Sequence, residues 1–141
     1  MRTVARTAAT LAALALPLTA CGTADSPASH PDTTTIVEAP DAATGHRFTP
    51  DPTILEPHPL PADSWTRLSD NTIGVNFQTG NPQCYGIDAT VTESPDAVTI
   101  TLRAGSRADA AGKMCTMNII FGTVELPLES PLGSRQVLGT V

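Results

Sequence analysis

From about residue 62 onward the chain alternates apolar and polar residues. In "TIGVNF", Ile73, Val75 and Phe77 share one face. In "GIDATVTE", Ile87, Ala89 and Val91 oppose Asp88, Thr90 and Thr92. In "AVTITL", Val98, Ile100 and Leu102 oppose Thr99 and Thr101. Strict period two with β-branched residues predicts half-buried antiparallel strands. The joint "ESPDA" puts Ser94 and Pro95 at the first two positions of a type I turn, so residues 87–104 are a predicted hairpin.

The run "CTMNIIFGTVELPL" holds two phases. Met117, Ile119 and Phe121 follow one, and Val124, Leu126 and Leu128 the other. A bulge at Gly122 would keep both sets on the core side. "SPLG" (130–133) matches type I turn preferences at three positions, and a short strand over 135–138 is expected to return beside 124–128. Helical spacing is not sustained anywhere, and "SRADAAGK" is at most one helical turn. The expected fold is all-β: a small antiparallel β-sandwich or curled sheet of about six strands over residues 62–141.

Residues 22–61 read differently. They hold eight prolines with abundant Thr, Ser, Ala and Asp, and six acids against Arg47 alone. Such composition buries too little apolar area to offset ordering entropy, which predicts a disordered Pro/Thr-rich tether. Extended at about 3.1 Å per residue, it would hold a domain on the order of 100 Å from its attachment point. All three histidines, His30, His46 and His58, lie here; their spacing fits no ligand pattern, and solvated spacer residues are the expectation. The clusters "DTTT" and "FTPDPT" are candidate O-glycosylation sites.

The chain carries a formal charge of −6 and no basic cluster. That excludes nucleic acid as the expected partner and electrostatic docking on anionic lipid heads.

The first twenty residues have the three parts of an export signal. Arg2 and Arg6 form a positive start, an Ala/Leu run spans 8–18, and the small residues Thr19 and Ala20 precede Cys21. The run is shorter than the ~20 apolar residues a membrane helix needs. The segment Leu18-Thr19-Ala20-Cys21-Gly22 resembles the lipobox of bacterial lipoprotein precursors. The resemblance implies cleavage between Ala20 and Cys21. It also implies diacylglycerol on the Cys21 thiol and, often, an acyl chain such as palmitate on the new amino group. The mature protein would then sit on the extracytoplasmic face of the cell membrane, held by Cys21.

Three cysteines is an odd number for an exported chain. With Cys21 lipidated, Cys84 and Cys115 remain to pair as a structural disulfide in oxidising surroundings. A redox pair usually has Cys-x-x-Cys spacing, which these two lack. The folded part, through "GNPQCYGIDATVTESPDAVTITL" and "VELPLESPLGSRQV", also resembles small lipoproteins of actinobacteria. Those proteins are mostly of unknown function, so the resemblance implies no catalytic residue.

Residues 62–141 contain no histidine, which removes Ser-His-Asp and Cys-His arrangements and the usual zinc sites. Gly-x-Gly-x-x-Gly and phosphate-loop motifs are absent. The carboxylates Asp88 with Glu93, or Glu125 with Glu129, are the remaining acid–base candidates, and scattered surface acids are the expectation. Trp65 is expected at the edge of the core; Trp65 and Tyr85 are the aromatics that could line a ligand or glycan site. Arg135 is expected to pair with Glu125 or Glu129. The expected protein is a monomeric, noncatalytic lipoprotein without cofactor or metal, binding an envelope protein or glycan. The alternative is a carrier for a small apolar ligand between the sheet layers.

Overall fold

A computed structural model describes residues 32–42 and 45–141. The signal segment, Cys21 and His30 lie outside the described residues. Among those described, nine strands and a single 3-10 turn (Ala108–Ala110) make up the regular structure. The strands are β1 (Thr33–Thr35), β2 (His46–Phe48), β3 (Leu55–Leu60), β4 (Ser64–Ser69), β5 (Thr72–Thr79), β6 (Tyr85–Glu93), β7 (Ala97–Ser106), β8 (Ile120–Pro127) and β9 (Gln136–Thr140).

The strands form two sheets. In one, β2, β8, β5 and β4 lie in that order. In the other, β7 pairs with β6 along one edge, while its second edge is shared by β9 and β3; β1 lies outside β9. The apolar phases meet between the layers. Ile73, Val75, Phe77, Val124 and Leu126 come from one sheet, and Ile87, Val98, Ile100, Leu102 and Val137 from the other, all buried. The predicted hairpin is present as β6 and β7, paired from Tyr85–Ser106 to Glu93–Val98. Its turn is closed by Ser94, whose N–H donates to the Ala97 carbonyl at 2.8 Å. Ser94 Oγ in turn accepts the Ala97 N–H at 3.0 Å.

The expected tether does not extend to residue 61. Residues 33–60 contribute β1, β2 and β3, and Ile36, Phe48 and Ile54 are buried. The composition argument failed because this segment needs few anchors. Each of its strands lies at a sheet edge, where proline's missing donor costs least. In β3 the register with β7 shifts between Leu55 and His58, Glu56 has φ +50°, and Pro59 pairs with Arg103. Pro50 makes a lone parallel bridge to Ile87.

The chain also lines the β4 edge: the Ala39 N–H donates to Trp65 O at 2.7 Å, and the Trp65 N–H to Val37 O at 2.9 Å. Residues 39–42 thereby shield a polar cluster on the outer face of that sheet. Asn76 Nδ2 donates to Ser64 Oγ and Thr66 Oγ1, Thr123 Oγ1 donates to Asn76 Oδ1 at 2.8 Å, and Thr66 Oγ1 donates to Ala39 O. Every buried side-chain polar atom described has a partner.

Gly122 marks no bulge. Strand β8 pairs with β5 in unbroken register from Thr72–Pro127 to Thr79–Ile120. Gly122 is itself an inward position: a Cβ there would lie 2.6 Å from the Phe77 ring and 2.7 Å from that of Phe48. Two aromatic rings fill the space that a side chain at 122 would need, so the inward phase runs through Gly122, Val124 and Leu126. Met117, Ile119 and Phe121 therefore lie outside the core rather than on its side.

The last strand is also placed differently from expectation. Strand β9 does not return beside β8; it crosses to the other sheet, parallel to β7 and antiparallel to β1. The turn before it is closed at Leu132–Arg135, where the Arg135 N–H donates to Leu132 O at 3.0 Å and Gly133 has φ +55°. Leu132, fully buried, plugs the crossing and fixes the strand's change of layer.

Candidate functional site

Three of the four candidate carboxylates fall into ion pairs with arginines rather than with one another, and Glu129 makes no ion pair among the described residues. Asp88, buried on β6, pairs with Arg103 directly across the strand. Arg47 on β2 meets Glu125 on β8 at 2.9 Å. Arg135 pairs with Glu93 at 2.8 Å, not with Glu125 or Glu129 as expected. This last pair is the most enclosed, with side chains 11% and 15% exposed. Arg135 also donates to the carbonyls of Ser130 and Pro131, at 2.7 and 3.0 Å. Glu93 accepts the Glu129 N–H at 2.6 Å. The "PLGSR" segment thus ties the crossing loop to the β6–β7 hairpin.

Hydrogen bonding from Arg135, then from the Glu129 N–H, holds the Glu93 carboxyl below its ordinary value of 4.5, and desolvation opposes the shift. A carboxyl lowered on folding stabilises the fold above its unfolded pKa, and that contribution fades as pH falls through the folded value. Glu93→Gln is therefore expected to be less stable than the parent near neutrality. The gap should close on acidification from about pH 6 to about pH 3. Urea midpoints across that range test this, and a gap independent of pH would contradict it.

The histidines form no joint site. His46 packs edge-on to Phe48 at 4.9 Å, and His58 Nδ1 lies 3.5 Å from the Glu56 carbonyl. No group of three or more His, Cys, Asp or Glu residues among those described is placed to hold a metal. Trp65 is buried as expected, with Nε1 donating to Ile36 O at 3.2 Å and the Arg67 guanidinium 5.5 Å from the ring.

The feature that stands out is the connection from β7 to β8. Cys84 and Cys115 form a disulfide with Cα atoms 6.0 Å apart. This pairing is the expected one, and it clamps the connection to the start of β6. Upstream, the Arg107 N–H donates to Cys84 O at 2.8 Å, and Gly112 turns the chain with φ +77°. Downstream, Asn81 Nδ2 donates to Thr116 Oγ1, which donates to Asn118 Oδ1, both at 2.9 Å. Asn81 also organises the neighbouring turn, accepting the Gln83 N–H on its side chain and the Cys84 and Tyr85 N–H groups on its carbonyl.

The connection has almost no apolar burial of its own. Met114 and Met117 are fully exposed, Ile119 is 72% and Phe121 67% exposed. Half of the large hydrophobics exposed on the described surface therefore fall within residues 114–121. Beside them is an open, largely apolar cavity of about 440 Å³ lined by Gly80, Tyr85, Met117 and Ile119. Gly80 is required there: a Cβ would lie 2.4 Å from the Tyr85 ring. Met117 and Ile119 share this cavity, while Met114 stands beside Cys84 and Phe121 beside Gly122; exposed apolar side chains gathered in one region mark a contact site. Tyr85 was an anticipated member of a ligand site. The Met117–Ile119–Phe121 face was missed, because its phase was assigned to the core. The signal was Gly122, an inward residue without a side chain, in phase with Val124.

The space between the sheets is filled by the core side chains, so the apolar cavity lies at the surface rather than between the layers. No protein-family model, curated protein or solved structure matches this chain.

Proposed function

We propose that this chain is a lipid-anchored, noncatalytic binding or accessory module of the cell envelope, held on the extracytoplasmic face of the membrane through acylated Cys21. The observation that carries the reading is Leu18-Thr19-Ala20-Cys21, placed directly after a positive start and an apolar run. The folded domain is compatible with it. Three of the four acids that were candidates for chemistry, Asp88, Glu93 and Glu125, pair with Arg103, Arg135 and Arg47, which leaves Glu129 without the partner carboxylate an acid–base pair needs. An exposed apolar loop, stapled by the disulfide, offers a contact surface instead.

Anchoring has a direct test. One acyl chain binds a membrane only marginally, at about 0.8 kcal/mol per buried methylene, whereas two or three bind persistently. Cys21→Ala is expected to leave the precursor uncut or to release the protein from the membrane fraction. Detergent partitioning of the variant equal to that of the parent would refute the anchor.

A further inference from the structure

We propose that the 113–119 loop and the start of β8 rest on the same bilayer that holds Cys21, with Met114, Met117, Ile119 and Phe121 entering the interface. The inference builds on the anchoring reading above and adds an orientation to it.

Chain length comes first. Ile36 is in the core and β1 begins at Thr33, so only residues 22–31 separate Cys21 from the described fold. Ten residues span at most about 35 Å. A domain of this size has a radius of gyration of about 13 Å, so the protein cannot stand off on a long stalk; its surface stays close to the lipid.

Strand direction comes second. β9 runs parallel to β7, and Thr140 Oγ1 donates to Thr101 Oγ1 at 3.1 Å. β1 is antiparallel to β9, with Thr33 opposite Thr140 and the Val141 N–H donating to Asp32 O. β1 therefore runs away from the end of β7, and it begins level with Thr101, midway along that strand. At the end of β7 Ser106 pairs with Tyr85, and the disulfide holds the loop. The short link therefore approaches from the direction of the apolar loop, with the stretch of β7 from Thr101 to Ser106 between its entry point and the loop.

Chemistry comes third. Of the four apolar side chains two are flexible methionines and one, Phe121, is aromatic, and Lys113, the chain's one lysine, stands beside Met114. Arg107 is taken up by Asp109, and Lys113 makes no salt bridge among the described residues. The rest of the chain is acidic, and more so once Arg2 and Arg6 leave with the signal, so attraction to anionic lipid is not the driving force. Apolar entry is. Four side chains would hold a free domain weakly, but the anchor makes their contact intramolecular and so raises its effective concentration.

The test uses the full acylated protein in phosphatidylcholine–phosphatidylglycerol vesicles with brominated acyl chains. Met117→Trp and Ile119→Trp place reporters at exposed positions where folding is not at stake. Leu68→Trp is the control, on β4 beside Gly74, at the end of β5 opposite Thr79. Buried Trp65 contributes the same background to all three. Emission from positions 117 and 119 is expected to fall by about half in brominated vesicles, as for side chains ~5–10 Å into the headgroup boundary, and position 68 to change little. Flotation and the mass of the Cys21 peptide report anchoring independently. If the acylated protein floats but 117 and 119 are quenched no more than 68, the membrane-facing loop is refuted while the anchor stands; the patch then belongs to a protein partner. If Cys21 carries no lipid and quenching is also absent, both readings fall.

Discussion

A chain cut to begin at residue 62 is expected to remain unfolded, whereas one beginning at residue 31 folds. The shorter chain contains every strand whose alternation predicts a sheet. It lacks β1, β2 and β3, which cover the free edges of β9, β8 and β7. It also lacks Ile36, Phe48 and Ile54 from the buried set. Phe48 is the most consequential of these. Its ring lies 5.5 Å from that of Phe77, and with it fills the space above Gly122. Phe48→Ala alone is expected to cost about 3–5 kcal/mol, the usual range for emptying a large aromatic from a core. Total stabilities of domains this size lie near 5–15 kcal/mol, so losing three edge strands as well leaves nothing to oppose chain entropy. Uncovered edges would in addition recruit other chains. Far-ultraviolet circular dichroism, amide dispersion and protease resistance of the two chains decide the matter. A cooperative unfolding transition in the 62–141 chain would show that residues 32–60 decorate the fold rather than complete it.

The contrast between those halves explains which parts of the fold were legible. Central strands are read by alternation because one face packs against the opposite sheet while the other meets solvent. Ile73, Val75 and Phe77, and Val98, Ile100 and Leu102, declare the inward side, and the structure buries all six. Edge strands carry no such constraint. β1 is three threonines, and β3 is "LEPHPL" with its apolar residues at the ends. Their membership comes from hydrogen bonds to a neighbour already in place, and no local pattern records it. Proline density, which argued for a tether, is equally what an edge tolerates.

The candidate site was half legible for a related reason. Cysteine arithmetic found the pairing of Cys84 with Cys115, because covalent partners can be counted. The apolar face beside them was assigned inward, because hydrophobic residues were equated with core. Gly122 settles the phase only when Phe48 and Phe77 are known to lie over it, and Phe48 belongs to a segment the alternation leaves out. A single misreading of residues 32–60 therefore hid the exposed loop and lengthened the link to Cys21 at once. Correcting it shortens the stretch between Cys21 and the folded domain from residues 22–61 to residues 22–31.

Opening the disulfide is expected to produce the largest loss available from a conservative change. Cys84 and Cys115 are 31 residues apart, and closing a loop of that length removes about 3–4 kcal/mol of unfolded-chain entropy. For a domain of this size that corresponds to a fall in Tm of about 15 °C. The Cys84→Ser/Cys115→Ser variant should nonetheless fold, since neither cysteine belongs to the central core cluster and the β6–β7 pairing is independent of the bond. Urea unfolding of the oxidised parent against the variant gives the comparison. A difference below about 1 kcal/mol would mean that the unfolded chain is already restricted in this region and the loop-entropy account fails. The loss should also be felt locally. Beyond the disulfide, the hydrogen bonds tying down residues 113–119 are few: Lys113 N–H to Ala110 O, and Thr116 to Asn81 and Asn118. Amide exchange in that loop should rise more than in β6 or β7. The apolar side chains at 114, 117 and 119 would then have to be ordered at the moment of contact instead of beforehand. The bond's second consequence is thus to set the loop's pose before it meets a surface.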